Sequence, residues 1–273
     1  MRRVRIVSWN LWWRFGPWQE RQPAIRSVLE GLEADVICLQ EVFADREPQG
    51  SDQAVELAQH LGFQCGRGRH PDGRPLSFGN AVLSRWPLRD VATMPLPLVG
   101  TGNSPRWAVL ATVERPGGAF TIASLHLSWQ YDASRERQRQ LEVVVTEIDR
   151  RQRAAALAYP PVIAGDLNAV PDSDEVRRLT GLAAPYVDGL IFTDAWAAVG
   201  EGPGHTWTRD NPHAADAQFP RRRVDHVLVG WPRPKPLGNP LRAELAGNGP
   251  MCGIVPSDHY AVVVDLDDRR SPE

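Results

Sequence analysis

Pro161-Val162-Ile163-Ala164-Gly165-Asp166-Leu167-Asn168 is a short apolar run that opens without a break onto two polar side chains. Such a run reads as a buried strand, and after it Asp166 and Asn168, two positions apart, share one side of an extended chain. The plainer alternative is a strand-to-helix turn with Asn168 or Asp172 as the cap. The same arrangement recurs elsewhere. Residues 4–9 alternate and end at Asn10, residues 35–40 form an apolar run ending at Glu41, and residues 120–126 read as a strand ending at His126. Asp225 lies in a strand over 223–229, and Asp258 and His259 stand just before one over 260–266.

Further strands are expected at 63–66, 80–84 and 107–113, and helices at 19–32, 54–61, 136–153 and 174–179. Strands and helices are interleaved, but several neighbouring strands are joined by turns alone. That pattern predicts mixed sheets covered by helices, not a pure βαβ barrel. Residues 66–77 and 200–223 are rich in Gly, Pro and polar residues and read as long surface loops, a setting that often carries function.

The 273 residues, 42% hydrophobic and 23% charged, suit one soluble domain, expected over 1–266 with a frayed tail at 267–273. No run of 18 apolar residues predicts a membrane span, and the N-terminus lacks the apolar stretch of a signal peptide. Cys38, Cys65 and Cys252 are scattered and odd in number, which argues against a disulfide framework and for a reducing, cytoplasmic setting. A formal net charge of −2 argues against a protein that grips long nucleic acid by phosphate neutralisation alone. The basic run Arg221-Arg222-Arg223 keeps nucleic acid open as a partner. Those at 135–139 and 150–153 read as solvated helix faces.

Taken singly, the polar residues at the strand ends are equivocal: Glu41 suits a solvent-facing charge, Asn10 an Asx-turn, His126 a structural histidine. Together they supply what cleavage of a phosphate ester requires. A cation must offset the phosphate charge, a water must be oriented and deprotonated, and donors must hold the non-bridging oxygens. Mg²⁺ takes oxygen ligands and keeps several waters, so one or two carboxylates suffice to hold it.

Ser8-Trp9-Asn10, Leu39-Gln40-Glu41, Gly79-Asn80-Ala81-Val82-Leu83-Ser84, Ser124-Leu125-His126-Leu127, Gly165-Asp166-Leu167-Asn168, Val224-Asp225-His226 and Ser257-Asp258-His259 occur in this order over nearly the whole chain. In this the sequence resembles the endonuclease/exonuclease/phosphatase superfamily with its DNase I-like fold. The resemblance implies an α/β (α+β) four-layer sandwich, two packed mixed β-sheets flanked by helices. It also implies a hydrolase that cleaves a phosphodiester or phosphomonoester with Mg²⁺, or with Mn²⁺ substituting. Glu41 would be the principal metal ligand, with Asn10 and Asp258 close by. Asp166 would orient and deprotonate the attacking water, and Asn168 would position it or contact the phosphate. His259, held by Asp225, and His126 would donate to the scissile phosphate as imidazolium groups favoured by neighbouring carboxylates. Arg106 sits where several members carry a phosphate-contacting arginine.

The chain departs from the apurinic endonucleases in having Trp12 where they carry a further carboxylate. With the charge balance, that favours a small or lipid-like phosphoester over DNA or RNA. The ten tryptophans, Trp129 and Trp207 among them, read mostly as packing, or else as an aromatic rim that stacks a base. His213 and His226 carry no expected role. An inactive binding protein would lack the equivalents of Glu41, Asp166 or His259, and a zinc hydrolase would show clustered histidines; neither pattern is present.

Overall fold

The computed structural model describes residues 3–45, 47, 50–99, 104–157, 159–219 and 221–269. Its frame follows from strands whose two faces are both apolar. In β1 (Arg3–Asn10) and β2 (Val36–Phe43), Ile6, Val36 and Cys38 face one way while Val7, Ile37 and Leu39 face the other, and all six are fully buried. A strand hydrophobic on both faces must be covered on both.

Two six-stranded mixed sheets supply the cover. The first runs β11-β12-β1-β2-β4-β3 and the second β5-β6-β7-β8-β10-β9. The remaining strands are β3 (Gln64–Arg67), β4 (Phe78–Ser84), β5 (Leu88–Leu96), β6 (Arg106–Val113), β7 (Phe120–His126), β8 (Val162–Asp166), β9 (Ile191–Asp194), β10 (Asp225–Trp231), β11 (Pro240–Ala246) and β12 (Ala261–Asp267). Among the described residues, only the strand pairs β1–β2 and β7–β8 run in parallel. The sheets pack face to face through Val4, Ile6, Val82, Ile122, Val162 and Val264 among others. Helices α1 (Trp18–Gly31) and α2 (Gln53–Leu61) cover the first sheet with Ile25, Leu29 and Leu57, and α3 (Ser134–Ala155) and α4 (Asp174–Leu179) cover the second with Leu141, Val145 and Val176. Three apolar layers between four structural layers are the expected sandwich.

The expected elements are all present, with small boundary shifts. The strands the sequence did not reveal, β5, β9 and β11, lie at sheet edges. An edge strand is wetted on one side, so its apolar pattern is diluted: β5 carries Arg89, Asp90 and Pro95, and β11 carries Arg242 and Glu244. A short helix α5 (Ala195–Val199) also went unread. One boundary needs correction. Asp267, expected in a frayed tail, closes β12 and is buried, and Arg115 pairs with Asp268 beyond it. Residues 270–273 of that tail lie outside the described residues.

Asp194 joins β9 and α5 to the entrance of β10. Its Oδ1 accepts from the backbone N–H of Trp196 at 3.0 Å, capping α5, and its carboxylate takes both contacts from Arg223 Nη1 at 3.0 and 2.9 Å. Burial opposes its charge, but His226 and Arg223 hold Asp194 well below the usual carboxylate range. Asp194→Ala should therefore cost about 3 kcal/mol, because it leaves Arg223 buried and unpaired. Urea unfolding should show that margin intact from neutrality down to about pH 4, the ordinary range of an unfolded Asp, and shrinking below it as the wild-type carboxylate takes up its proton.

Candidate active site

Parallel strands β1 and β2 end at the same edge of their sheet, as β7 and β8 do in theirs. The antiparallel strands β10 and β12 begin at that edge. This topology alone gathers Asn10, Glu41, His126, Asp166, Asp225, Asp258 and His259 from positions far apart in sequence. Local devices then aim them. Glu41 sits at a bulge between Leu39 and Val42 with φ +51°, which turns its side chain out of the ladder. At Gly165 a Cβ would lie 2.1 Å from the Leu125 carbonyl, so only glycine lets β8 approach β7 next to Asp166.

Asp166 is the hub. Its Oδ1 accepts the Asn168 backbone N–H at 2.9 Å, and its Oδ2 accepts from Asn10 Nδ2 at 3.1 Å. His126 Nε2 and His259 Nε2 lie 3.5 and 3.9 Å from Oδ2. Asn10 also donates to Glu41 Oε1 at 3.2 Å, while its own oxygen accepts the Trp12 N–H at 2.9 Å. Asn10 thus bridges two carboxylates as a donor. The Asn168 amide nitrogen donates to the Leu127 carbonyl at 3.1 Å, and its amide oxygen accepts no hydrogen bond among the described residues.

His259 Nδ1 lies 2.8 Å from Asp225 Oδ2, and Thr206 Oγ1 receives the Asp225 N–H at 3.2 Å. Burial works against the imidazolium, yet Asp225, Asp258 and Asp166 together raise His259 well above its ordinary range. His126 behaves oppositely. Burial, the Arg106 guanidinium 3.2 Å from its Nδ1, and His259 hold it well below. The two imidazoles expected to act alike thus lie in opposite settings: carboxylates favour the charged form of His259, whereas burial first, then Arg106 and His259, disfavour that of His126.

The carboxylates are under mutual strain. Burial and the nearby Asp258 push Glu41 up to about 7; burial and Asp225 push Asp166 up to about 6. Burial also raises Asp258. Glu41 Oε2 and Asp225 Oδ1 are buried with no hydrogen-bond partner among the described residues. Asp166, Asp225 and His259 can bring one ligand atom each within 4.8 Å of one another. His259 Nδ1 is nevertheless spent on Asp225, and a protonated imidazole does not ligate. The unpartnered Glu41 oxygen, facing the field of Asp258, fits a hard divalent cation better.

Glu41, Arg106, His126, Asp166, Asn168 and His259 line a cleft of about 610 Å³. Asn10, Asp225 and Asp258 support them from outside that lining. Trp129 and Trp207 stand in the walls with Trp107, Tyr131 and Arg222. The two histidines without an expected role are structural. His226 Nε2 meets the Ala169 carbonyl at 2.9 Å, and His213 Nε2 meets that of Val255 at 2.8 Å.

Arg21 escaped the sequence reading. Fully buried, it donates to the carbonyls of Leu11, Trp12, Trp13, Phe15 and Pro256, fixing the loop after Asn10 against the loop before Asp258. The available signal was an arginine on the apolar stripe of α1, four residues before Ile25.

Two six-stranded sheets packed face to face, with acids, amides and two histidines at one edge, define the DNase I-like class of fold. Residues 7–259 match the Endonuclease/Exonuclease/phosphatase family, and the chain belongs to it. It is 26% identical over 277 residues to tyrosyl-DNA phosphodiesterase 2 of Gallus gallus, covering 96% of this chain and 66% of that protein. With 2',5'-phosphodiesterase 12 of Mus musculus it shares 27% identity over 203 residues, 66% of this chain and 32% of that one. Among solved structures, D. rerio TDP2 complexed with a single-strand DNA product superimposes with a TM-score of 0.75 at 20% identity, covering 98% of this chain and all of that one. An endonuclease/exonuclease/phosphatase from Bacteroides vulgatus gives 0.75 at 18% identity, over 98% and 99%. The chain therefore spans about two thirds of the chicken protein and about one third of the mouse protein.

A cation that relieves Glu41 should be detectable without turnover. Millimolar Mg²⁺ should raise the melting temperature by a few degrees (about 2–4 °C per kcal/mol of binding). Glu41→Gln should abolish that shift and itself raise the melting temperature of the metal-free protein. A metal-free variant less stable than wild type would mean that Glu41 is adequately compensated without a cation.

Proposed function

We propose that this chain is a Mg²⁺-dependent phosphodiesterase that hydrolyses its substrate with a water activated at Asp166. The observation that carries the reading is the Asp225–His259 pair at 2.8 Å, aimed at Asp166 beside the unpartnered oxygen of Glu41. Glu41, with Asp258 close by, would hold the cation, and Asn10 orients the Glu41 carboxylate. Bound there, a divalent cation offsets the charge of the phosphate and of the leaving oxygen.

The chain's own groups do the rest. Asp166, raised to about 6, is ionised at neutral pH and still basic enough to accept a proton from water. Asn168 has an unengaged amide oxygen with which to fix that water. The water oxygen bonds to phosphorus, its proton passes to Asp166, and the bond to the leaving oxygen breaks. The His259 imidazolium and Arg106 hold the non-bridging oxygens. His126, neutral and accepting from Arg106 at Nδ1, can present an Nε2 proton toward the same place.

The walls favour a diester that carries a flat ring. Trp129 is 56% exposed, and beside it Tyr131 is already stacked on Phe219, with ring centroids 3.6 Å apart and the Arg222 guanidinium 4.8 Å from the Tyr131 centroid, so the Trp129 indole supplies the open ring face. Half-exposed rings beside a guanidinium suit a nucleobase or another aromatic substituent better than an acyl chain. The names of the relatives, a tyrosyl-DNA phosphodiesterase and a 2',5'-phosphodiesterase, support the same choice.

The test is hydrolysis of bis(4-nitrophenyl) phosphate and of a single-stranded oligonucleotide, in Mg²⁺ and in EDTA. Asp166→Ala and His259→Ala should each lose about 10²–10⁴-fold in turnover with folding intact. His60→Ala, an exposed histidine paired with Glu30, should be silent. Near-normal turnover in either active-site variant removes that residue from its role.

The rate should also fall at both pH extremes. It is lost as pH drops through the Asp166 value near 6, where the base protonates, and lost again as pH rises through the raised His259 value, where the imidazolium deprotonates. Asp225→Asn should move the alkaline limb to lower pH, and an unmoved limb would detach it from His259.

A further inference from the structure

A second groove, of about 620 Å³, lies beside the cleft at the margin of the sandwich where the edge strands β3 and β5 meet. Trp107 and His70 line both spaces and touch edge-on, with ring centroids 5.7 Å apart, so they form the sill between them. None of the groove's lining residues is acidic. Arg67 is neutralised, with Asp52 at 3.0 Å from its Nε. Arg69 is exposed: Nη1 donates to the Gly73 carbonyl at 2.8 Å, and among the described residues it pairs with no carboxylate. Its loop is held in shape, since His70 N–H reaches the Arg74 carbonyl at 2.8 Å and Arg69 N–H reaches Thr93 Oγ1 at 2.8 Å.

The strand order says what this groove is for. Across the site edge of the second sheet come β6 with Trp107, β7 with His126, β8 with Asp166, then β10 with Arg222 just before it. The Tyr131–Arg222 rim and the Trp107–His70 sill therefore flank the reacting position on opposite sides. A phosphodiester has two substituents, and a site centred between two walls must direct one to each.

We propose that the second groove receives the continuation of a chain substrate: a single-stranded polynucleotide crosses the Trp107–His70 sill, with a base against Trp107 and its next phosphate at Arg69. This rests on the phosphodiesterase reading above and deepens it. A guanidinium with no carboxylate partner among the described residues, in a groove lined by no acidic residue, is matched to a phosphate, and the indole at the sill offers a stacking face that tolerates any base.

Binding of a fluorescent single-stranded DNA decamer is measured by anisotropy in EDTA at several salt concentrations, with hydrolysis of bis(4-nitrophenyl) phosphate in Mg²⁺ alongside. Arg69→Gln should weaken decamer binding about five- to tenfold and reduce the slope of log affinity against log salt by about 0.7, the signature of one lost phosphate contact. Arg69→Lys should keep the slope. The short diester, which reaches only the cleft, should be hydrolysed by Arg69→Gln at the wild-type rate. An unchanged salt slope, or an equal loss on the short diester, overturns the groove. A wild-type protein that hydrolyses the short diester but does not bind the decamer overturns it too and leaves the activity standing. Arg69-dependent binding with hydrolysis of neither substrate does the reverse. A duplex that binds as tightly as the single strand would also overturn the assignment.

Discussion

Four carboxylates held in one desolvated place are the constraint on which the rest of this molecule depends. Glu41, Asp166, Asp225 and Asp258 come from four different strand ends, and each raises the cost of ionising another. In water such a cluster would disperse. Here the two sheets fix its backbone, so compensation has to come from fixed partners: the His259 imidazolium, the Asn10 amide bridging Glu41 and Asp166, and the buried guanidinium of Arg21 behind them. The compensation is incomplete, since Glu41 Oε2 and Asp225 Oδ1 have no hydrogen-bond partner among the described residues. A folded protein tolerates that deficit where a ligand makes it good, and a divalent cation with a phosphate is the ligand whose charges fit.

Arg21 gives the same constraint from the other side. Burial pushes its pKa down to about 10 while Asp258 and Glu41 pull it back up. It remains charged at neutral pH. Its five acceptors are all backbone carbonyls, so the charge is stabilised by dipoles and not consumed by a salt bridge. A carboxylate partner at that place would have cancelled its effect on the site. The loop it holds contains Trp12 and Trp13 in left-handed conformations at φ 59° and 36°, a strained path that needs such a clamp.

How much of this was legible beforehand follows from where each signal resides. Strands buried on both faces announce themselves as apolar runs: β7 (Phe120–His126) was read to its true ends. The polar residue that follows such a run stands out for the same reason, but Glu41 and His126 were equivocal singly, and only the order of the motifs along the chain joined them to Asp166 as one candidate set. Edge strands β5, β9 and β11 lack that contrast. What lies between distant segments is not written locally at all. Ser257 Oγ holds the Asn10 carbonyl at 2.6 Å, and Trp9 Nε1 holds that of His259 at 3.0 Å, across some 250 residues. The surroundings that disfavour the His126 imidazolium, burial first and then Arg106, twenty residues away on a neighbouring strand, are likewise not written near His126.

The asymmetry of the two histidines is the step that makes the site directional. His259 lies between Asp225 and Asp166 and keeps its charge, and His126 lies against Arg106 and loses it. A symmetric pair of imidazolium groups, with Arg106 beside them, would place three cations around one phosphate and would compete with a divalent ion for the same oxygens. With His126 neutral, the positive charge is divided: His259 on the β12 side, Arg106 on the β6 side, and the acidic corner at Glu41 left for a metal. On the proposed reading, a phosphate would be held between unlike neighbours, and a water at Asp166 would have a defined face from which to approach. Burial of His126 sets that division first, and Arg106 at 3.2 Å and the nearby His259 reinforce it. The same arginine borders the Trp107–His70 sill, so the proposed phosphate grip and the proposed substrate path would be built from one strand end.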